Sequence, residues 1–365
     1  MVAYFGEDAS RIYQLDQWLP VLELLDADQP VTVVLRDEDS AAVVRPLTRL
    51  RVVVAEQFAH LREQYAELDP KMVLYCNNSP ANFESLLEPR ALHVHVNHGE
   101  SDKQSSASNN AKAYDRVFVA GQAAVDRYRH GLMGFDTGRL VLVGRPQLDL
   151  PHRAVLAPSS RRTVLYAPTF EGDADYNNYS SLDRFGPDIV QQLLAVPDVR
   201  VVYKPHPRVP QSQDPFIQSR HREVEQLLAE ANERDPHAGH VTLEEADILG
   251  VLPGCDAMVT DVSSVGLDWL YLCTDRPLFI ADRRDDPDTL RAEVPVSRCA
   301  DVVDSGSLAG LARLVGDRLE RDELQLARAA MREHYFGDAA VGASTGRFVG
   351  AVRELTALRD QLVSP

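Results

Sequence analysis

The chain has 365 residues, 44% of them hydrophobic and 25% charged, and carries a formal net charge of −17 at pH 7. That length is too great for one ordinary domain and suits two, each with its own core. The acidic balance excludes long-range attraction to nucleic acid backbones or to anionic lipid.

The four cysteines, Cys76, Cys255, Cys273 and Cys299, are scattered and form no CxxC pair. Neither a zinc knuckle nor a disulfide framework follows, and the expectation is buried thiols in a reducing compartment. The opening MVAYFGEDAS lacks a basic stretch followed by an apolar one, and no run reaches the ~18 apolar residues of a membrane span. A cytoplasmic protein without a transmembrane segment is expected.

From the N-terminus, VAYFG leads into a helix around Tyr13–Leu25, followed by VTVVL, RVVVA, a helix through Glu56–Ala66, MVLYC, ALHVHV, RVFVA and LVLVG. Continuous apolar β-branched strands separated by helices predict a parallel sheet covered on both faces, a Rossmann-like half. Leu150–Arg162, with Pro151 and Pro158 and no apolar period, reads as a linker. A second series follows: TVLYAP, VRVVYKP, HVTL, AMVTD and PLFIAD, interleaved with helices at Pro187–Leu194, Arg222–Ala231 and Val265–Leu272. The tail is helical, with apolar stripes in ARLVGDRLER and FVGAVRELTALRDQLV. Two doubly wound halves direct attention to the loops after strands, where α/β sheets bind ligands.

The first such loop lies in HVHVNHGESDKQSS, from His93 to Ser106. Alternation puts His93 and His95 on one strand face, whereas His98-Gly99 opens the loop beyond it. Gly99 permits close approach of the backbone, and Ser101 and Lys103 offer groups to phosphate or acceptor hydroxyls. The same letters spell HxHxNH, one residue from the HxHxDH metal motif of metallo-β-lactamase-like hydrolases; Asn97 stands where that family has Asp.

In TVLYAPTFEGDADYNN, Pro168 ends the strand, which puts Thr169 at the strand-end site and opens a polar loop with Glu171, Asp173 and Asp175. In VVYKPHPRVP, the prolines stiffen an extended stretch carrying Lys204, His206 and Arg208, three cationic donors suited to a pyrophosphate. In AMVTDVSSVGL, a strand leads to Asp261, then Ser263 and Ser264 at a helix start, where hydroxyls and free N–H groups make an anion site.

Taken in order, HGESDK, GRPQLD, VLYAPTFEG, KPHPR, CDAMVTDVSSVGLDWLYLCTDRPLFIAD and YFGDAAVGAST resemble the CDP-glycerol glycerophosphotransferase family of teichoic-acid and capsule-type polymer synthesis. The resemblance implies an α/β fold of the GT-B type: two Rossmann-like domains facing a central cleft, with C-terminal helices crossing back to the first. It divides the chain into an acceptor domain over 1–152, a nucleotide-donor domain over 160–338 and a helical segment over 339–365.

It further implies metal-independent transfer of a glycerol-phosphate or related polyol-phosphate unit from a CDP-linked donor to a glycopolymer or lipid-linked acceptor, releasing CMP, with no cofactor. On that pattern His98 is the general base. His206 stabilises the donor pyrophosphate, helped by Thr169, Lys204, Arg208, Asp261, Ser263 and Ser264, while Gly99, Ser101 and Lys103 lie on the acceptor side. The chemistry of the residues agrees, since a hydroxyl of pKa ~15 must lose its proton as it attacks and histidine titrates near working pH.

HGESDK departs from the family's HG-Thr-Pro continuation, DVSS from DYSS, and VLYAPTFEG lacks the Trp-Arg continuation. The basic amphipathic element that ties relatives to membrane is also missing, which leaves a soluble acceptor or a peripheral contact at the inner membrane face open. A GT-B glycosyltransferase or sugar-nucleotide epimerase using a UDP- or GDP-sugar, and a non-catalytic nucleotide-binding protein, are the alternative readings.

Overall fold

In the computed structural model, residues 1–103, 106–172, 175–338 and 340–363 are described; Asp173 of the polar loop lies outside them. The chain divides into two compact units. The first comprises Met1–Glu100, Ala107–Leu150 and Tyr335–Pro365, and the second Ser101–Ser106 and Pro151–His334.

The first unit is built on β1 (Val2–Phe5), β2 (Thr32–Leu35), β3 (Arg51–Val54), β4 (Met72–Tyr75), β5 (Leu92–His95), β6 (Arg116–Val119) and β7 (Leu140–Leu142). All pair in parallel, in the order β3-β2-β1-β4-β5-β6-β7. Alternate residues of the central strands feed separate cores, which is why β1, β2 and β4 are buried along their whole length. Phe5, Val33, Leu74 and Val94 face one side with Trp18 and Leu22, while Tyr4, Val34, Val73, Tyr75 and Val117 face the other with Tyr65 and Tyr114.

The helix Ala343–Val363 completes the first of these cores with Phe348, Val352 and Leu355. The Phe348 ring lies 5.3 Å from Trp18 and 5.7 Å from Phe118. Asp149, in GRPQLD, accepts the N–H groups of Gly342 at 3.0 Å and Thr345 at 2.7 Å, so a carboxylate from elsewhere in the chain caps the helix start. Gly144, at φ 75°, and Gly121 allow the tail to approach: a Cβ would lie 2.2 Å from Ser344 Oγ at the former and 2.3 Å from the Tyr335 carbonyl oxygen at the latter. Two of the segments that carry the family resemblance, GRPQLD and VGAST, thus meet in a packing contact within this unit.

The second unit carries β8 (Arg162–Ala167), β9 (Val199–Tyr203), β10 (Val241–Thr242), β11 (Ala257–Thr260), β12 (Leu278–Ala281) and β13 (Asp301–Val303). They too are all parallel, in the order β10-β9-β8-β11-β12-β13. The helix before β9 spans Leu182–Leu194 and starts five residues earlier than Pro187 suggests. Proline removes one helical hydrogen bond, but Leu182, Phe185, Ile189, Val190 and Leu193 form one buried stripe, and their burial outweighs that loss. The next helix runs over Pro215–Arg234, its start set by Asp214 capping the Phe216 N–H at 2.8 Å. After Phe216 and Ile217 the run Gln218–Glu223 is polar, which hides the early turns from an apolar period. All four cysteines are buried free thiols, pushed up to about 12 by burial. Among the described residues no helix is long and apolar enough to cross a membrane.

Candidate functional site

In the first unit the strand order reverses between β1 and β4, and β5 delivers its loop beside β4. Asn97 turns the chain out of β5 in the left-handed region at φ 55°, a conformation its short amide tolerates. Its side chain accepts the His98 N–H at 2.9 Å, and its carbonyl accepts the Trp18 indole N–H. The half-buried His98 ring is held edge-on to Tyr13 at 6.1 Å, with Nδ1 3.3 Å from the Cys76 carbonyl at the end of β4. A carbonyl only accepts, so Nδ1 carries the proton and Nε2 holds the lone pair of the neutral ring.

The neighbouring histidines have other tasks. His93 Nδ1 is 2.7 Å from the Tyr75 hydroxyl and its Nε2 is 2.9 Å from the Glu88 carbonyl. His95 is buried and stacks on Tyr114 at 5.1 Å, and burial pulls it down to about 3, which keeps it neutral. With both His93 nitrogens engaged, HxHxNH does not turn three imidazole lone pairs to one point, as a shared metal requires. Gly99 stays with this unit, whereas Ser101 and Lys103 group with the second.

There the order reverses between β8 and β11, the kind of edge at which open α/β sheets bind ligands. Thr260 Oγ1 donates to the Ala167 carbonyl at 2.7 Å, and the Thr169 N–H donates to Asp261 Oδ2 at 2.7 Å, so the ends of the two strands are stitched together. Ser180 Oγ donates to the Thr169 carbonyl at 2.8 Å. Lys103 Nζ donates to Thr169 Oγ1 at 3.0 Å and lies 5.3 Å from the Phe170 ring centre and 5.8 Å from that of Tyr179.

Burial pushes Asp261 up to about 7, although the Thr169 amide and the Lys103 charge favour its anion. Burial also pulls Lys103 down to about 8, against the pull of Asp261. Two groups that change charge near neutrality therefore share one strand-end site.

The KPHPR loop is zipped beside this edge. The Lys204 amide donates to the Tyr166 carbonyl at 2.9 Å and the His206 amide to the Pro168 carbonyl at 3.1 Å. The Arg208 N–H donates to His206 Nδ1 at 3.1 Å, which makes that nitrogen the acceptor and leaves the proton of the neutral ring on Nε2. Phe170 supports both side chains, 4.8 Å from the His206 ring and 4.2 Å from the Arg208 guanidinium. Lys204 differs: its buried ammonium donates to the carbonyls of Pro205 at 3.1 Å and Glu244 at 2.8 Å, and burial pulls it down to about 8. It braces the loop from within the fold.

After β11, Ser263 is the extended N-cap of the helix Ser264–Leu272, yet its hydroxyl makes no capping bond and its buried Oγ has no partner among the described residues. Ser264 is the first helical residue, so the unpaired amides and the positive end of the helix dipole converge here. Sequence reasoning missed Phe170, Tyr179 and Arg284, whose guanidinium lies 4.5 Å from the Tyr179 ring. A signal existed, since Arg284 follows β12 just as the other site groups follow β8, β9 and β11.

Residues 90–288, more than half of the chain, match the family described as CDP-Glycerol:Poly(glycerophosphate) glycerophosphotransferase. Among curated proteins, none matches the sequence significantly. Solved structures share the fold at low identity. The wall teichoic acid polymerase TagF is 14% identical, with TM-score 0.59 over 100% of this chain and 90% of that one. A glycosyltransferase from Rickettsia africae is 11% identical, with TM-score 0.58 over 97% of each chain. Anabaena Alr3699/HepE, solved with UDP and glucose, is 11% identical, with TM-score 0.55 over 97% of this chain and 100% of that one. These neighbours and the two parallel sheets make the fold GT-B-like.

Proposed function

The chain belongs to the CDP-glycerol:poly(glycerophosphate) glycerophosphotransferase family, and from that premise we propose that it transfers a glycerol-phosphate or related polyol-phosphate unit from a CDP-linked donor to an acceptor hydroxyl. The hydroxyl gives its proton to His98 Nε2 as its oxygen bonds to the donor's distal phosphorus. The bond from that phosphorus to the bridging oxygen breaks, the electron pair stays on that oxygen, and CMP leaves. His206 Nε2–H, Arg208 and the helix start at Ser263-Ser264 hold the charge that develops on the leaving phosphate. No step calls on a metal or cofactor.

The observation that supports this division of labour is the opposite tautomer of two histidines. The Cys76 carbonyl makes His98 an acceptor at Nε2, and the Arg208 amide makes His206 a donor at Nε2. A base and an electrophilic donor are what phosphoryl transfer to an alcohol requires. Gly99 is assigned to the acceptor side, and Thr169 and Asp261 to the donor side. Lys103, through its bond to Thr169, is assigned with them. In this reading the acceptor is a glycopolymer, free or lipid-linked, and the enzyme works in the cytoplasm or peripherally at the inner face of the membrane.

The test is nucleotide release by purified protein given CDP-glycerol, CDP-ribitol, UDP-sugars or GDP-sugars together with short polyol-phosphate acceptors. CMP release that depends on acceptor is expected. Release of UDP or GDP instead would move the chain to the sugar-transferring or epimerising enzymes of the same fold, and binding without turnover of any donor would make it a nucleotide-binding protein.

A further inference from the structure

Away from the strand-end site, the second unit carries a group of side chains with no part in the transfer. His221 and Glu225 lie one turn apart on the helix Pro215–Arg234 and so share a face. Glu244 follows β10. His221 Nε2 is 3.1 Å from Glu244 Oε1 and 3.8 Å from Glu225 Oε2, and the three ligand atoms all lie within 4.8 Å of one another. On the far side of the imidazole, His221 Nδ1 is 3.0 Å from the Tyr203 hydroxyl.

We propose that His221, Glu225 and Glu244 bind one divalent transition-metal ion that clips the helix to the segment after β10. One imidazole and two carboxylates form a donor set for zinc, manganese or ferrous iron more than for magnesium or calcium, which prefer oxygen alone. An ion about 2.0–2.2 Å from each ligand sets donor atoms roughly 3–3.6 Å apart. The His221–Glu244 pair already meets that spacing, and the half-buried Glu225 reaches it by a small side-chain rotation.

The buried His221 is the fixed ligand. In the metal-free chain Nε2–H donates to the Glu244 carboxylate at 3.1 Å and Nδ1 accepts from the Tyr203 hydroxyl. A bound ion would displace the Nε2 proton, the ring proton then sitting on Nδ1 and donating to the Tyr203 hydroxyl, an outer contact of the kind that orients metal-binding histidines. The clip bears on the donor loop because the Glu244 carbonyl accepts the Lys204 ammonium at 2.8 Å, and Tyr203 and Lys204 are consecutive. The ion would anchor the base of the KPHPR loop without touching the reacting groups, and the inference is independent of the donor's identity.

The test is calorimetric titration of the chelator-treated full chain with zinc, manganese and magnesium ions, paired with thermal unfolding. One zinc or manganese ion per chain is expected, with a higher Tm and much weaker magnesium binding. Glu225→Gln and Glu244→Gln should each weaken zinc binding at least about tenfold, while leaving the metal-free Tm unchanged, because both side chains are partly exposed. No zinc or manganese binding by the wild-type chain, or equal binding by the double variant, would overturn the assignment and leave His221 as the partner of an ordinary ion pair.

Discussion

The Arg208 amide donates to His206 Nδ1 over 3.1 Å. The orientation of the imidazole is therefore tied to the backbone of the loop that carries it, and this bond makes Nδ1 the acceptor. In the first unit the Cys76 carbonyl sets the opposite tautomer on His98, with the lone pair on Nε2.

Substitution separates these roles. His206→Ala should lower the rate of CMP release about 10²–10³-fold, the usual cost of losing a charge-stabilising donor. His206→Gln should recover part of it, since its amide nitrogen reaches the Nε2 position. His98→Ala should cost about 10²–10⁴-fold, and His98→Gln should recover nothing, since an amide cannot take the proton. Equal recovery by both glutamines in steady-state kinetics would undo the assignment.

Ser263→Ala distinguishes a binding residue from a helix cap. Because Ser263 Oγ makes no capping bond and has no partner among the described residues, the variant should unfold within about 0.5 kcal/mol of the wild type in urea. A hydroxyl that meets a donor phosphate contributes about 1.5–3 kcal/mol, so the apparent KM for donor should rise at least about tenfold. A clear loss of stability with unchanged KM would make it a structural serine.

Asp261 gives the stability a pH dependence of predictable sign. Burial raises it from 3.8 to about 7, so between those values the folded chain keeps a proton that the unfolded chain has lost, and stability falls as pH rises through the window. Asp261→Asn should flatten that fall, seen as a urea midpoint that changes less between pH 5 and pH 7.5 than in the wild type. Lys103, lowered from 10.5 to about 8, acts in the next window. There the unfolded chain holds the extra proton and stability rises with pH, so Lys103→Met should remove that rise.

Gly121→Ala tests how the tail is seated. The added Cβ would lie 2.3 Å from the Tyr335 carbonyl oxygen and 2.7 Å from the Tyr335 carbonyl carbon, atoms that cannot rotate away. A loss of about 1–3 kcal/mol is expected, measured by urea unfolding, whereas Gly350→Ala, which meets nothing within 4 Å, should not destabilise the chain.

Much of the fold was legible because a strand buried on both faces leaves an apolar run, as β1, β2, β4, β8, β9, β11 and β12 do, and the alternation around them drew in the shorter edge strands. The missed one, β13, is Asp-Val-Val at a sheet edge, and its opening Asp301 leaves only two apolar residues, whereas the edge strand β7 sits in the apolar run LVLV. Pro187 misdirected the helix start because a local rule was overridden by the burial of Leu182 and Phe185. At the site, residue types and strand ends pointed to His98, His206 and Ser263. The tautomers were invisible, because they depend on a carbonyl 22 residues away in one case and on a turn geometry in the other. Lys103 was read with the loop that contains it, yet its ammonium is bound to Thr169, 66 positions further on. Lys204 looked like a third phosphate ligand, whereas its ammonium is turned to two carbonyls of its own fold.

The first unit takes in both the start of the chain and Tyr335–Pro365, and this sets an order of events during synthesis. Its sheet is complete once β7 has emerged, but the face formed by Trp18 and Phe118 waits for Phe348. At roughly 5–20 residues per second, the intervening 200 or so residues take about 10–40 s to make. Through that interval a nascent chain carries an uncovered apolar face while the second unit is being made, and the sequence of the second unit is complete at His334, before Phe348 is added. The later half is therefore expected to mature first on the ribosome. Ribosome-associated chaperones should crosslink preferentially to the Trp18–Leu22 face until the last helix is released.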